Sequence, residues 1–487
     1  MKKKPNILYI MADDQGAWAM NCAGTPELYT PNLNRIAKKG MRFENFYCAS
    51  PVCSPARASL LTGKMPSAHG VLDWIRSGNV DGEKFAVQGR ENPYADGYSR
   101  ERKPITYLED QTGYTDILYA GGYNCALSGK WHLGNSVQPQ KGFDKWYTLG
   151  LGGCCYYHPD IVENGEIHVE HGRYVTELFT DRALDFLDEL EKGERPFYLA
   201  VHYTAPHAPW GREQHPGKWI DYYEDCDFGS IPDVPDHPDL ITGPVYGTSA
   251  RRENLRGYFA AISAMDEQIG RLLDTLEQKK LSENTIVIFT ADNGMSMGQH
   301  GVWGKGNATY PMNMYDSAIK VPFLISWPGQ IPMGDVCREE VSACDLFPTL
   351  LELTDMTDQL PQGLPGKSIC SLLRGGLVAA REEVIIYGEY GPVRMIRTKQ
   401  WKYVHRYPYG KHEFYNLEDD PGETKNLYGC REYEALILKM KFQMEQWFLH
   451  YTDARIDGSK EGVTGSGQLC RAGIYAVRTD VYAPVGS

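Results

Sequence analysis

Four apolar runs in the chain share one pattern: each ends abruptly in polar, chemically capable residues. Asn6 to Ala12 runs into Asp13 and Asp14, and Tyr123 to Gly129 into Lys130 and His132. Phe197 to Val201 runs into His202 and on to His207, and Thr285 to Ala291 into Asp292 and Asn293. Continuous apolar runs of this length fit strands buried on both faces of a largely parallel sheet. Between them lie amphipathic stretches that read as helices. One is Val175 to Lys192; the other is Asn254 to Lys280, with Ile262, Met265, Ile269, Leu272, Leu273 and Leu276 on one stripe. Alternating strands and helices predict an α/β fold whose site lies beyond the carboxyl ends of its strands. The four polar endings are therefore expected to converge.

After about Gly375 the pattern changes to short alternating segments, at Val384 to Glu389, Val393 to Thr398, Trp401 to Arg406 and Glu413 to Leu417. An amphipathic helix over Glu432 to Tyr451 follows. This predicts a small antiparallel sheet with a packed helix, and a division into a main domain over 1–375 and a smaller unit over 376–487. Two irregular stretches interrupt the main domain. One, at about 75–110, is rich in Gly, Arg, Asn and Asp; the other, Tyr222 to Ser249, is crowded with Pro and Asp. Long loops within a compact domain are usually functional, so both are expected to shape a pocket.

Composition narrows the function classes. A chain of 487 residues, 42% hydrophobic and 23% charged, is not collagen-like, coiled-coil or disordered. It is long enough to bury roughly three quarters of its unfolded surface without disulfide staples. Its twelve cysteines follow no regular framework and read as reduced thiols, with Cys154, Cys155, Cys337 and Cys344 as packing residues. No apolar run approaches the roughly 20 residues of a membrane helix, so no membrane partner is expected. A net charge of −13 argues against nucleic-acid binding, which relies on a basic face. The basic start, Lys2 to Lys4, followed by Ile7 to Ala12, imitates a secretory signal. It stops at Asp13 without a small-residue cleavage site, so the expected compartment is cytoplasmic, or periplasmic if a leader has been removed.

The chemistry begins with oxygen. Asp13 with Asp14, or Asp292 with Asn293, reads alone as a cap or turn. Together at strand ends they supply hard ligands suited to Ca²⁺ or Mg²⁺ rather than Zn²⁺ or Cu²⁺. The segment Pro51 to Gly63 places Cys53, Pro55 and Arg57 ahead of an apolar, helix-like run. A thiolate beside an arginine is a candidate nucleophile, although a bare Cys here also reads as a buried residue at a helix start. His69, His168, His171, His405 and His450 read as structural, whereas His202 and His300 flank the motifs.

At every constrained position the segment Pro51 to Gly63 resembles the signature of the type I sulfatase family. Gly122 to His132 resembles the family's second signature, departing at Cys125, where the family normally carries Ser or Thr. The resemblance continues through Asn6 to Asp14, Ala205 to Pro209, Asp292 to Gly294, His300 to Lys305 and Phe414 to Glu423. The spacer from Lys305 to Val321 is longer than in the common family form.

The resemblance implies an alkaline-phosphatase-like fold, with a large mixed, mostly parallel sheet flanked by helices. It further implies conversion of Cys53 to formylglycine (3-oxoalanine) by a formylglycine-generating maturase. A divalent cation, Ca²⁺ rather than Mg²⁺, would be held by Asp13, Asp14, Cys53, Asp292 and Asn293. One hydroxyl of the hydrated aldehyde attacks sulfur and the alcohol departs; the second hydroxyl then loses its proton, sulfate is eliminated and the aldehyde returns. On this scheme His207 protonates the leaving alkoxide, since a histidine titrates in the right range. His132 assists elimination and holds the hydroxyl, and Asp292 activates the nucleophile. Sulfate esters are anions and the protein is acidic, so Arg57, Lys130, Lys305 and the cation would supply local positive charge.

For the substrate, Tyr156, Tyr157, His158, Trp210, His215 and Trp303 offer aromatic faces in loops after the site strands. His158, Trp210 and His300 are the expected substrate contacts. The expected activity is removal of O-sulfate from a glycosaminoglycan or mucin-type sugar. The rivals are a phosphonate monoester or phosphodiester hydrolase of the same superfamily, a general aryl sulfatase, and an anion-binding protein with Cys53 unconverted.

Overall fold

A computed structural model of the protein describes residues 4–85, 100–376, 383–388 and 393–485. Its central element is a ten-stranded sheet. From one edge to the other the strands are Asp335–Cys337, Met41–Phe43, Phe323–Ser326, Thr285–Ala291, Asn6–Ala12, Phe197–His202, Asn124–Gly129, Lys145–Leu149, Asp160–Glu163 and Glu166–Val169. The four runs singled out in the sequence are adjacent at its centre and mutually parallel. The mixed, mostly parallel α/β sheet is as expected, with antiparallel neighbours only towards the edges.

Every residue of Asn6–Ala12, Phe197–His202 and Thr285–Ala291 is buried. That explains why these strands read as continuous apolar runs rather than alternating ones. Helices Pro31–Lys39, Val175–Leu190 and Ala250–Gln278 pack on one another as one group, and Cys53–Thr62, Tyr114–Ala120 and Leu346–Leu353 as another. Register does the rest. Met11 lies opposite His202, Ala12 opposite Ala291, and Gly129 opposite His202. The next residues along each strand, Asp13, Lys130 and Asp292, therefore emerge at one edge together.

The C-terminal sheet runs antiparallel in chain order through Val384–Gly388, Val393–Arg397, Trp401–Arg406 and Glu413–Asn416. Helix Glu434–Tyr451 lays Ile437, Met440, Met444 and Phe448 against Ile385, Tyr387, Ile396, Tyr403 and Phe414. A buried ion network ties this sheet to the main one. Lys402, fully buried, reaches Asp316 at 2.8 Å and also Glu423, and Arg397 reaches Glu340 at 2.8 Å and Asp316 at 3.2 Å. Beyond Tyr451 the chain forms only short turns, yet it returns to the main domain. Gln468 pairs with Ile75, and its side-chain oxygen accepts from the Leu72 and Asp73 amides at 2.9 and 3.4 Å. Among the described residues no helix is long and apolar enough to cross a membrane. Of the loop expected over about 75–110, residues 86–99 lie outside the described set.

Replacing Lys402 with Met is expected to destabilise the protein by about 3–5 kcal/mol, because buried Glu423 loses its counter-charge and Asp316 keeps only Lys320 and Arg397. Thermal melting checks this, with Lys399→Ala as the control: Lys399 is exposed, and its pair with Glu339 is expected to contribute little.

Candidate active site

Cys53 opens helix Cys53–Thr62, all ten residues of which are buried. Pro55 suits the first turn, where its missing N–H had no intrahelical partner to lose. The helix start, with its free amides and positive dipole end, thus points where an anion would sit. Burial, only partly offset by Lys130 and Lys305, pushes the Cys53 thiol far up from its ordinary pKa. An unconverted Cys53 would therefore be a protonated thiol and a poor nucleophile.

Around Cys53 three carboxylates meet three cations. Lys130 Nζ donates to Asp13 Oδ2 at 2.5 Å. Lys305 Nζ donates to Asp14 Oδ1 and Oδ2 at 2.7 and 2.9 Å and lies 2.6 Å from Cys53 Sγ. Arg57 donates through Nε to Asp292 Oδ2 at 2.8 Å and through a terminal nitrogen to the Lys130 carbonyl at 2.9 Å. Burial opposes ionisation of Asp14 and Asp292. Lys305 and His207 outweigh it at Asp14 and Arg57 does so at Asp292, holding both carboxyls below the usual range. Asp14 takes up positive φ (61°), which turns its carboxylate back toward Asn293, whose side-chain amide donates to it at 2.9 Å. Gly129 permits the close approach of the strand ends: its φ is 124°, and a Cβ there would meet the His202 carbonyl oxygen at 2.0 Å.

The donor set fits a hard divalent cation. One ligand atom from each of Asp13, Cys53 and Asp292 lies within 4.8 Å of the others, and the same holds for Asp14, Cys53 and His207. Asp13 Oδ1 and Asn293 Oδ1 are buried without a hydrogen-bond partner, and a cation among the carboxylates would satisfy them. Three carboxylates balance three cations, so a divalent ion would leave these groups with a net charge of about +2 toward an anionic ester.

Two histidines border the cavity. His132 Nε2 lies 3.0 Å from the Ile75 carbonyl oxygen, which makes Nε2 the protonated nitrogen and leaves Nδ1, buried and unpartnered, as an acceptor. Burial, with Lys130 and Arg57 nearby, holds His132 well below its ordinary pKa, so it is neutral at pH 7. His207 presents the other ring nitrogen. Its Nδ1 donates to the Ala208 carbonyl at 2.7 Å, leaving Nε2 in the cavity, 3.6 Å from Asp14 Oδ2.

The cavity in front of Cys53 is about 410 Å³ and is lined by residues from three stretches besides the motifs. Trp74, Ile75, Arg76 and Asn79 form one wall, Arg100 and Glu101 another, and Leu151, Gly152 and Gly153 a third. The loop expected over about 75–110 thus lines the pocket through Ile75, Arg76, Asn79, Arg100 and Glu101. The other expected loop, Tyr222 to Ser249, borders neighbouring cavities instead.

The three expected substrate contacts, His158, Trp210 and His300, are not among the residues that line the Cys53 cavity. His300 faces a separate cavity of about 820 Å³ and stacks flat on Tyr315 at 3.7 Å, held there by its turn conformation (φ 56°). His158 is exposed and pairs with His171 at 3.3 Å, outside the Cys53 cavity. Trp210 packs edge-on against Tyr258 and donates its indole N–H to the Pro206 carbonyl at 2.8 Å. It lines a smaller recess of about 310 Å³ that shares Lys305 and Asn307 with the Cys53 cavity. The wall residues Trp74, Arg76, Arg100, Glu101 and Asn307 were not individually visible in the sequence, since none lies in a strand-end motif.

Fold and site together define an anion-ester hydrolase built on a carboxylate-and-cation centre. A family model described as Sulfatase matches residues 5–356, and one described as N-sulphoglucosamine sulphohydrolase, C-terminal, matches residues 298–449. The chain belongs to the sulfatase family, the type I enzymes of the alkaline-phosphatase-like superfamily that hydrolyse sulfuric esters. It is 31% identical over 450 residues to an ulvan-active sulfatase of Formosa agariphila, covering 89% of this chain and 79% of the relative. It is 28% identical to an N-acetylglucosamine-6-O-sulfatase of Bacteroides thetaiotaomicron, covering 93% and 87% of the two chains. A solved structure described as a complex with its substrate D-glucosamine-2-N,6-O-disulfate superposes with a TM-score of 0.76 at 25% identity. That match covers 94% of this chain and all of the other. Membership implies a formylglycine and a divalent metal as family properties.

Asp13→Asn and Asp292→Asn are each expected to reduce turnover by at least about tenfold and to weaken stabilisation by an added divalent cation. Melting temperature against CaCl₂ and MgCl₂ concentration reads the second effect directly. An undiminished shift in both variants would remove these residues from the metal site.

Proposed function

We propose that the protein removes an O-sulfate group from a carbohydrate, using a formylglycine formed from Cys53 and a Ca²⁺ ion held by Asp13, Asp14, Asp292, Asn293 and residue 53. The observation that carries this reading is the placement of Cys53. It sits at the start of a fully buried helix, in a cavity it shares with Lys305, His132 and His207, and its thiol is held protonated. A neutral thiol gains nothing from three buried cations, whereas an oxygen nucleophile facing a sulfate ester does.

Once converted, residue 53 supplies a hydrated-aldehyde oxygen as nucleophile, and bound Ca²⁺ supplies further positive charge for the sulfuryl oxygens. The chain's own groups divide the remaining work. Lys130 and Lys305, fixed by Asp13 and Asp14, hold the anionic ester in register and stabilise charge moving onto its oxygens. Arg57, pinned by Asp292 and the Lys130 carbonyl, orients the helix start without entering the cavity. As an imidazolium, with its Nδ1–H kept by the Ala208 carbonyl, His207 would give the Nε2 proton to the departing sugar oxygen and be left neutral. His132 Nδ1 is placed to accept one from the second hydroxyl, since its other nitrogen is committed to Ile75.

Carbohydrate as the substrate class is supported by the relatives, named for ulvan and for N-acetylglucosamine 6-O-sulfate. The walls also support it: an indole, two guanidiniums and an amide around a pocket of about 410 Å³ suit a polar ring better than a flat aryl group. Conversion of Cys53 calls for a formylglycine-generating enzyme as partner.

Protein co-expressed with such an enzyme is expected to show the aldehyde in the mass of the peptide spanning residue 53. It is also expected to release sulfate from at least one sulfated sugar, with no product from a phosphonate monoester offered in parallel. Cys53→Ala, handled identically, is expected to fold and to lose turnover by at least about 10³-fold. Residual activity near wild type in that variant would sink the mechanism.

A further inference from the structure

The cavity in front of Cys53 holds a second concentration of positive charge, separate from Lys130 and Lys305. Arg76 and Arg100 line it together, beside Trp74. The Arg76 guanidinium lies over the Trp74 ring, 5.7 Å from its centroid. Burial first, and Arg100 second, hold Arg76 below its ordinary pKa against the opposing pull of the Asp73 carboxylate.

This arrangement is held in place by residues distant in the sequence. Arg76 donates through its backbone to the Gln468 carbonyl at 2.9 Å and through a terminal nitrogen to the Ser466 carbonyl at 2.8 Å. Trp74 Nε1 donates to the Gly465 carbonyl at 3.3 Å. Neighbouring carboxylates are engaged with backbone amides. Glu101 accepts from the Gly78 and Asn79 amides at 2.7 and 2.9 Å and from the Asn79 side chain at 2.7 Å. Asp73 accepts from the Trp74 and Gly467 amides at 2.7 and 3.1 Å. Two guanidiniums lining one pocket offer charge-assisted hydrogen bonds to a bound oxyanion. Guanidiniums also suit planar or tetrahedral oxyanions better than ammonium groups do.

We propose that Arg76 and Arg100, with Trp74, form a second anion subsite, so that the preferred substrate carries a further carboxylate or sulfate besides the ester that is cleaved. The inference rests on the carbohydrate-sulfatase reading and names its substrate class more narrowly: a sugar unit, or a sugar with its neighbour, bearing two negative charges. Trp74 would stack on the ring, while the arginines take the second oxyanion.

Binding to the inert Cys53→Ala protein tests this without turnover. The probes are N-acetylglucosamine 6-sulfate, with one anion; glucosamine 2-N,6-O-disulfate, with a second sulfate; and a hexuronate linked to N-acetylglucosamine 6-sulfate, with a carboxylate. At least one doubly charged probe is expected to bind about tenfold tighter than the singly charged one. That advantage is expected to disappear in Arg76→Gln and Arg100→Gln, each variant losing more affinity for the doubly charged probe than for the singly charged one. Whichever doubly charged probe gains identifies the second group as sulfate or carboxylate. Equal affinity for all three probes, no binding of any of them, or an advantage that survives Arg100→Gln overturns the subsite. Arg100 is exposed, so its variant stands even if Arg76→Gln loosens the tail. Sulfate release by matured wild-type protein on the same probes separates the two claims. A binding advantage without release condemns the reaction and keeps the subsite, and release without an advantage does the reverse.

Discussion

Everything in the site depends on burying charge in matched sets. Asp13, Lys130 and Asp292 leave adjacent parallel strands into a region where none of them is exposed. An unpaired ion there would cost several kcal/mol. Lys130 therefore answers Asp13, Arg57 answers Asp292 and Lys305 answers Asp14, and removing one member leaves its partner uncompensated. The same pairing that makes the site tolerable to the fold also preorganises it. None of the three cations has to find its place when an anionic ester arrives, because a carboxylate already holds it there.

The strand register is what makes such pairing possible. A parallel sheet lets strands far apart in sequence end level with one another, and four runs beginning at Asn6, Asn124, Phe197 and Thr285 do so. This much was legible in the sequence, because a strand buried on both faces leaves an apolar run that stops where the chemistry starts. The four C-terminal strands and their helix were legible for a related reason: short alternating segments and an amphipathic stripe each have a recognisable period. The charged strand ends were legible as candidates, whereas the segments around Cys53 and Lys130 were legible through their resemblance to the family's signatures.

Other features left no such trace. His300 stands five residues before Lys305, yet a turn with positive φ sends its ring onto Tyr315 in a different cavity. Proximity in sequence carries no direction across a turn. His158 follows a site strand but finds His171 rather than the pocket. The pocket walls come from loops whose position is set by hydrogen bonds to distant segments. Glu101 gathers the amides of 78–79, and the segment 465–468 ties down 72–76, and neither contact follows any periodicity. The pocket walls are set by long-range backbone bonding, and the charged centre by strand-end side chains.

The tether between Leu72 and Gln468 spans 396 positions. A ribosome making this chain finishes the catalytic strands and the helix of Cys53 long before it supplies the segment that completes the pocket wall. The nascent protein thus passes through a stage in which its chemistry is encoded but its mouth is unfinished. During that interval Trp74 and Arg76 stand without the carbonyl groups of 465–468 that later hold them. The order of synthesis then serves as a clock, separating emergence of the charged strand ends from completion of the walls that border them.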